Sequence, residues 1–137
     1  MKTLTAKRVD FLNLTERDFS HIDLIGVDLS ETLMRNAILC YSNLSDATLV
    51  DTDLSHADLT SINLNCATLI GANLTYADLT KANLSCADLS YANLTGVDFK
   101  GADLSGANLT GANLTLANLA GANLTGADLT DSYDLSK

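Results

Sequence analysis

A leucine or another apolar residue recurs at every fifth position through most of the chain. These positions, called centres here, run from Leu14 to Leu129 at residue numbers ending in 4 or 9. Of the 24 centres, 21 are leucine, while Phe19, Phe99 and Met34 are the exceptions. Asp or Asn precedes the centre in 20 units, and alanine lies two residues before it in 15. The chain is therefore a tandem array of five-residue units without insertions.

This period fits neither an α-helix nor a flat strand. A helix rotates about 100° per residue, so a stride of five would spread the leucines around its circumference. A strand alternates faces, so successive leucines would point to opposite sides. A chain that bends once per unit keeps every centre inside, and Asn, Asp and Gly supply suitable turn residues. All eight glycines lie two residues after a centre. The period thus predicts a solenoid whose stacked coils satisfy each other's backbone groups.

Composition narrows the class of protein. The 137 residues amount to one domain, and a hydrophobic content of 47% argues against a disordered chain. Eight basic and 17 acidic residues give a net charge of −9, which argues against direct nucleic-acid binding. No apolar stretch is long enough for a membrane span, and no secretory signal is visible, so we expect a cytoplasmic protein.

The unit A-[DN]-L-x-x, as in GANLTYADLTKANLSCADLS at residues 71–90, resembles the repeat of the pentapeptide repeat proteins, A(D/N)LXX. The resemblance covers about residues 17–130. It implies an all-β fold, a right-handed quadrilateral β-helix with 20 residues per coil and about six coils. Long runs of this kind also make a cyanobacterial source plausible.

The two ends depart from the repeat. Val9 and Leu12 share a helical face and Thr5 is a suitable N-cap, so we expect a short helix over about residues 5–13. This gives three segments: an N-terminal cap at 1–16, the β-helix at 17–131 and a frayed C-terminal tail at 132–137. The tail supplies no helix to cover the last coil, so end-to-end homodimerisation through that coil is a hypothesis.

Stacking at 20 residues brings three carboxylates into one outward column. Asp58, Asp78 and Asp98, called the acidic row here, would lie about 5 Å apart on successive coils. Such a row is mildly destabilising unless it is screened or hydrogen-bonded. It is either a solvated face or a surface for a protein partner, and Lys81 and Lys100 lie near it.

Two cysteines also fall in one column. Cys66 and Cys86, the thiol pair, are 20 residues apart, and a Cα separation of about 5 Å is within disulfide range. We expect free thiols in a reducing cytoplasm and a possible bridge in an oxidising compartment. His21 and His56 belong to different columns, so they do not predict a metal site.

Apolar residues replace Asp or Asn before two neighbouring centres, at Leu33 and Ile38. This is either repeat drift with an exposed apolar spot, or a local bulge or partner patch that also involves Val50 and Ile70.

A rod filled by its own leucines offers no pocket with converging polar groups, so we expect no enzyme activity, no cofactor and no metal. The best interpretation is a rigid solenoid that binds an unidentified protein through its polar and acidic surface. The alternative comes from the resemblance, because some members of the family protect DNA gyrase from quinolones by mimicking DNA. Those members carry projecting loops and a C-terminal dimerisation segment, and this sequence shows neither.

Overall fold

The backbone turns once in every five-residue unit and pairs with itself one coil further on. A computed structural model describes residues 13–133, and this range contains no helix and no strand longer than a single bridge residue. The bridge residue is the one before each centre. Each pairs in parallel with the residue 20 positions later, from Asn13 with Leu33 to Asn113 with Tyr133. Four turns therefore make one coil, which is the register that the resemblance implies.

Three backbone hydrogen bonds per unit join neighbouring coils. In the unit centred on Leu74, the Leu74 N–H donates to the Asn93 carbonyl at 2.9 Å, and the Tyr76 N–H donates to the Thr95 carbonyl at 2.9 Å. The Asn93 N–H donates back to the Ala72 carbonyl, also at 2.9 Å. Because the coils exchange bonds in both directions, the backbone polar groups of the inner coils are paired.

Each turn is closed by a residue in the left-handed region. The second residue after every centre from Leu14 to Leu129 has a positive φ, between 53° and 72°. The Ala77 N–H donates to the Leu74 carbonyl at 2.9 Å, so the four residues 74–77 form a hydrogen-bonded turn. A positive φ at the third residue of such a turn is typical of type II. These third residues form the corners of the solenoid.

The centres and the alanines two residues before them fill the interior. From Met34 to Leu114 every centre is at most 1% exposed. In the last described coil, by contrast, the centres Leu119, Leu124 and Leu129 are only partly buried. Small alanines at the second inward position let the walls approach closely enough for the leucines to meet. The core therefore runs along the solenoid and is open at its C-terminal coil.

Both ends of the described range belong to the ladder. Asn13 pairs with Leu33, and the Leu14 N–H donates to the Leu33 carbonyl at 2.7 Å. Tyr133 pairs with Asn113 and donates its N–H to the Ala112 carbonyl at 3.1 Å. The ladder thus includes residues 13–16 of the expected cap and residues 132 and 133 of the expected tail. Apart from Asn13, the expected helix over 5–13 lies outside the described residues.

Candidate functional site

The carboxylates of the acidic row are held by their own turns. Asp58 Oδ1 accepts a hydrogen bond from the Thr60 N–H at 3.0 Å, and Asp78 Oδ1 accepts one from the Thr80 N–H at 2.9 Å. Asp98 Oδ1 accepts from the Lys100 N–H at 2.9 Å. The same bond from a residue before the centre to the N–H two residues later recurs along the chain. It explains why that position prefers Asp and Asn.

The structure places the three members of the acidic row in one ladder. Asp58 pairs with Asp78, and Asp78 pairs with Asp98. Asp78 is exposed, while Asp58 and Asp98 are half-buried. Asn118 continues the column and donates its Nδ2–H to Asp98 Oδ1 at 2.9 Å. The row is therefore a fixed, solvent-facing array of carboxylates, which ends in an amide.

The second oxygen of each carboxylate in the row is available. Within residues 13–133, Oδ2 of Asp58, Asp78 and Asp98 accepts no hydrogen bond from another side chain or from the backbone. Asp18, on the same face, accepts hydrogen bonds from Ser20, which lower the pKa of its carboxyl. An array of this kind can receive hydrogen bonds from cationic side chains of a partner without rearranging first.

The thiol pair occupies one corner column on adjacent coils. Cys66 and Cys86 have φ angles of 56° and 59°, and both side chains are exposed and free. Slight desolvation, the neighbouring Cys86 and Asp46 raise the pKa of the Cys66 thiol. Cys40 lies on another face, and burial together with Asp58 and Asp18 raises its pKa. The structure thus brings together the two cysteines that the sequence paired. The disulfide in an oxidising compartment stays a prediction.

The two histidines remain apart, as their columns imply. His21 stacks on Tyr41 with ring centroids 5.1 Å apart, and His56 stacks on Tyr76 at 5.6 Å. A shallow groove beside His21 is lined by Ile22, Asp23, Tyr41 and Asn43. Among residues 13–133, no group of three or more His, Cys, Asp or Glu side chains is arranged to hold a metal ion.

The apolar substitutions leave the ladder intact. Leu33 and Ile38 keep their pairing with residues 20 away on both sides, so the interpretation as a local bulge is wrong. Both side chains are exposed, at 45% and 38%, and Ile70 on another face is exposed at 36%. Because Leu33 and Ile38 flank one corner while Ile70 lies elsewhere, the four residues named from the sequence do not make one patch.

The sequence analysis did not predict two ring positions at the corners. Tyr76 lies over Gly96, because a Cβ added at Gly96 would be 2.3 Å from Tyr76 Cε1. Tyr91 lies over Gly111 in the same way, at 2.7 Å. The signal was present, since each tyrosine is followed by glycine 20 residues later. That offset has meaning only once the stacking register is known.

Comparison with known proteins identifies the family. The profile described as Pentapeptide repeats matches residues 18–55, 28–65, 62–101 and 98–132 of this chain, with eight copies. The chain belongs to the pentapeptide repeat proteins. Their fold is the right-handed quadrilateral β-helix, in agreement with the four turns per coil seen here. A search of the curated proteins finds no match.

Several solved pentapeptide repeat proteins are similar to this chain. A pentapeptide repeat protein (Rfr23) from the cyanobacterium Cyanothece 51142 is 40% identical, with a TM-score of 0.55. The match covers 71% of this chain and 64% of that protein, so this chain spans less than two thirds of its relative's length. AT2G44920, from the Arabidopsis thaliana thylakoid lumen, is 31% identical over 90% of this chain and 69% of its own, with a TM-score of 0.52.

QnrB1, described as a plasmid-mediated fluoroquinolone resistance protein, is more distant. It is 20% identical over 95% of this chain and 72% of its own, with a TM-score of 0.48. At this similarity its resistance activity does not transfer to the present chain. Separately, residues 13–133 contain no helix with the length and apolar character that a bilayer crossing needs.

Proposed function

We propose that this pentapeptide repeat protein is a non-catalytic binding protein and that the acidic row contacts a protein partner. The observation that carries the proposal is the fixed geometry of Asp58, Asp78 and Asp98. Each turn N–H orients one carboxylate oxygen, and the other oxygen faces outward. A preorganised charged surface loses little entropy on binding and steers a basic partner towards it.

A charge-only substitution tests this role. Replacing Asp58, Asp78 and Asp98 together by Asn removes three charges but keeps the Oδ1 acceptor that each turn uses. We expect the fold to be unchanged and the partner, captured from a native extract, to be lost at physiological salt. The measurement is quantitative affinity capture, with the fold monitored by circular dichroism.

A matched control uses carboxylates from other faces. Asp88, Asp103 and Asp128 make the same bond to the N–H two residues later, at 2.9, 3.0 and 2.9 Å. Their triple Asn variant changes the net charge equally, so it should keep the partner. Equal loss in both variants would mean that only net charge matters, and this would refute a specific role for the acidic row.

Inhibition of DNA gyrase is the alternative function. The carboxylate column supports it, whereas Lys100 on the same face and Lys81 at its corner interrupt the negative surface. A supercoiling assay with purified gyrase separates the two functions. Inhibition that disappears in the Asp58, Asp78 and Asp98 triple variant would favour DNA mimicry over binding to another partner.

We also propose an end-to-end homodimer through the C-terminal coil. The partly buried centres Leu119, Leu124 and Leu129 support it. Their backbone N–H groups have no acceptor within residues 13–133, whereas equivalent groups in inner coils are bonded. A second copy would cover both the leucines and the amides. Sedimentation should then show a dimer, and a monomer at high micromolar concentration would contradict it.

The total of about six coils, the N-terminal cap and the cytoplasmic location are also proposals. The 20-residue register maintained from Asn13 to Tyr133 supports the coil number. The location needs direct measurement, because the similar Arabidopsis protein comes from the thylakoid lumen.

A further inference from the structure

The thiol pair is defined by translation along the solenoid. The Cys66 N–H donates to the Ser85 carbonyl at 3.0 Å, and the Cys86 N–H donates to the Ser105 carbonyl at 2.9 Å. The two corners therefore have the same backbone conformation and the same bonding, one coil apart. Their Cα–Cβ bonds are consequently parallel, and the separation of their Cβ atoms equals the spacing of the coils, about 4.8 Å.

This spacing is unfavourable for a direct sulfur–sulfur bond. Disulfides require Cβ atoms about 3.5–4.5 Å apart, with a mean near 3.8 Å. Closing the pair would draw two coils together at a point where backbone hydrogen bonds already fix them. A small bridging group suits the corner better, because it spans the thiols without moving the coils.

The side chains also lean along the solenoid axis in a way that favours a bridge. Cys86 Sγ lies 3.6 Å from the position that a Cβ at Gly106 would occupy, so it points towards the next corner. Cys66 lies in the same relation to the Cys86 corner, and its thiol makes a hydrogen-bond contact with Cys86. The space beyond Cys86 is left open by the glycine.

A linear two-coordinate cation matches these dimensions. A zinc–thiolate bond is about 2.3 Å long, and two bonds of that length in line span about 4.6 Å. Thiolates are soft ligands that select Cu(I). Tetrahedral coordination would need further ligands, and no group of three or more suitable side chains exists among residues 13–133.

We propose that Cys66 and Cys86 form a two-coordinate binding site for a soft monovalent cation, with Cu(I) as its biological representative. Binding replaces the two thiol protons: two S–H bonds break, two S–Cu bonds form and two protons leave to solvent. No electron is transferred. Affinity for Cu(I) therefore rises with pH, because the ligands bind as thiolates.

Anaerobic titration of the fully reduced protein with Cu(I), in competition with a chromogenic Cu(I) chelator, tests the site. We expect one tightly bound Cu(I) per chain. Cys66→Ser and Cys86→Ser should each weaken binding by at least about 100-fold, because each removes one half of a chelate. Cys40→Ser should bind like the wild type. Tight binding that survives either Cys66→Ser or Cys86→Ser would overturn the proposal.

A relocated thiol provides the control for spacing. Replacing Cys86 by Ser and Gly106 by Cys keeps the number of thiols but places the pair two coils apart, about 9.6 Å. Gly106 has a φ of 65°, close to that of the native cysteine corners, and Cys86 Sγ is its nearest neighbour. This variant should fold and bind Cu(I) as weakly as Cys86→Ser. Wild-type affinity in it would show that any two thiols suffice and would also overturn the proposal.

Discussion

At the scale of the residue, the corners show how tertiary pairing overrides local preference. Sixteen corners carry a residue other than glycine in the left-handed region, including Tyr91 and Leu116. This conformation costs an ordinary residue about 1–2 kcal/mol relative to its preferred state. The cost is accepted because the corner N–H of each inner unit is bonded to the next coil. The glycine corners avoid it.

A comparison of two glycine corners separates backbone cost from ring contact. Gly96→Ala should destabilise the protein more than Gly101→Ala, although their φ angles are both 66°. The new methyl at residue 96 meets Tyr76, whereas the nearest atom at residue 101 is Lys81 Cγ at 3.8 Å. We expect an extra loss of about 1 kcal/mol, the scale of an off-rotamer side chain. Urea unfolding measures it.

The ring contact itself is tested by removing the ring. In a Tyr76→Ala background, the Gly96→Ala and Gly101→Ala substitutions should cost the same free energy of unfolding within about 0.5 kcal/mol. A difference that persists without Tyr76 would mean that the ring does not account for it.

Much of this residue-scale structure could be predicted, but only in part. The leucines fixed the interior, and the Asp and Asn residues predicted turns, because both act through local geometry. The left-handed corners at Tyr76 or Leu116 could not be predicted, since local propensity opposes them. The contact of Tyr76 with Gly96 depends on the stacking register, which the five-residue period alone does not supply.

At the scale of the coil, one charged cluster connects two units. Asp53 is nearly buried, and its carboxylate accepts hydrogen bonds from the Ser55 N–H at 3.1 Å, the Ser55 hydroxyl at 2.7 Å and Asn73 Nδ2 at 3.1 Å. Arg35 donates its Nε–H to the other oxygen. Burial alone would raise the pKa of Asp53, but these hydrogen bonds and the guanidinium outweigh it and lower the pKa.

This cluster gives the protein a pH dependence with a defined sign. A folded-state pKa below the unfolded value stabilises the protein above the unfolded pKa, about 3.9, and the gain disappears as pH falls through the folded value. Asp53→Asn should therefore flatten the loss of stability below about pH 4. Thermal unfolding from pH 3 to pH 7 measures it, with Asp88→Asn as a control on another face. An unchanged slope in Asp53→Asn would contradict the assignment.

At the scale of the whole molecule, burial is uniform along the axis and declines in the last described coil. Leu94 is fully buried, while Leu124 is partly buried. In a solenoid each coil contacts only its neighbours, so stability is roughly the sum of coil and interface contributions. The same substitution should therefore have different costs at different positions along the axis.

Truncating one leucine in each place measures this gradient. Leu94→Ala should cost about 2–5 kcal/mol, the range for a buried leucine that leaves a cavity. Leu124→Ala should cost less in the monomer, because its cavity opens to solvent. If two copies join through this coil, the cost of Leu124→Ala will grow with protein concentration. Denaturant unfolding at two concentrations distinguishes these cases, and equal costs at both sites would refute the gradient.

The pairing of residues 20 apart has a consequence for how such a chain can change in length. Loss of 20 residues removes one whole coil and leaves every downstream side chain above its former column. Loss of a single unit keeps all leucines inside, yet it rotates the remaining surface by a quarter turn. A deletion of that size ahead of Asp98 would move its carboxylate to the adjoining side of the rod. Length variants of this protein can therefore preserve the core while exchanging what each side displays.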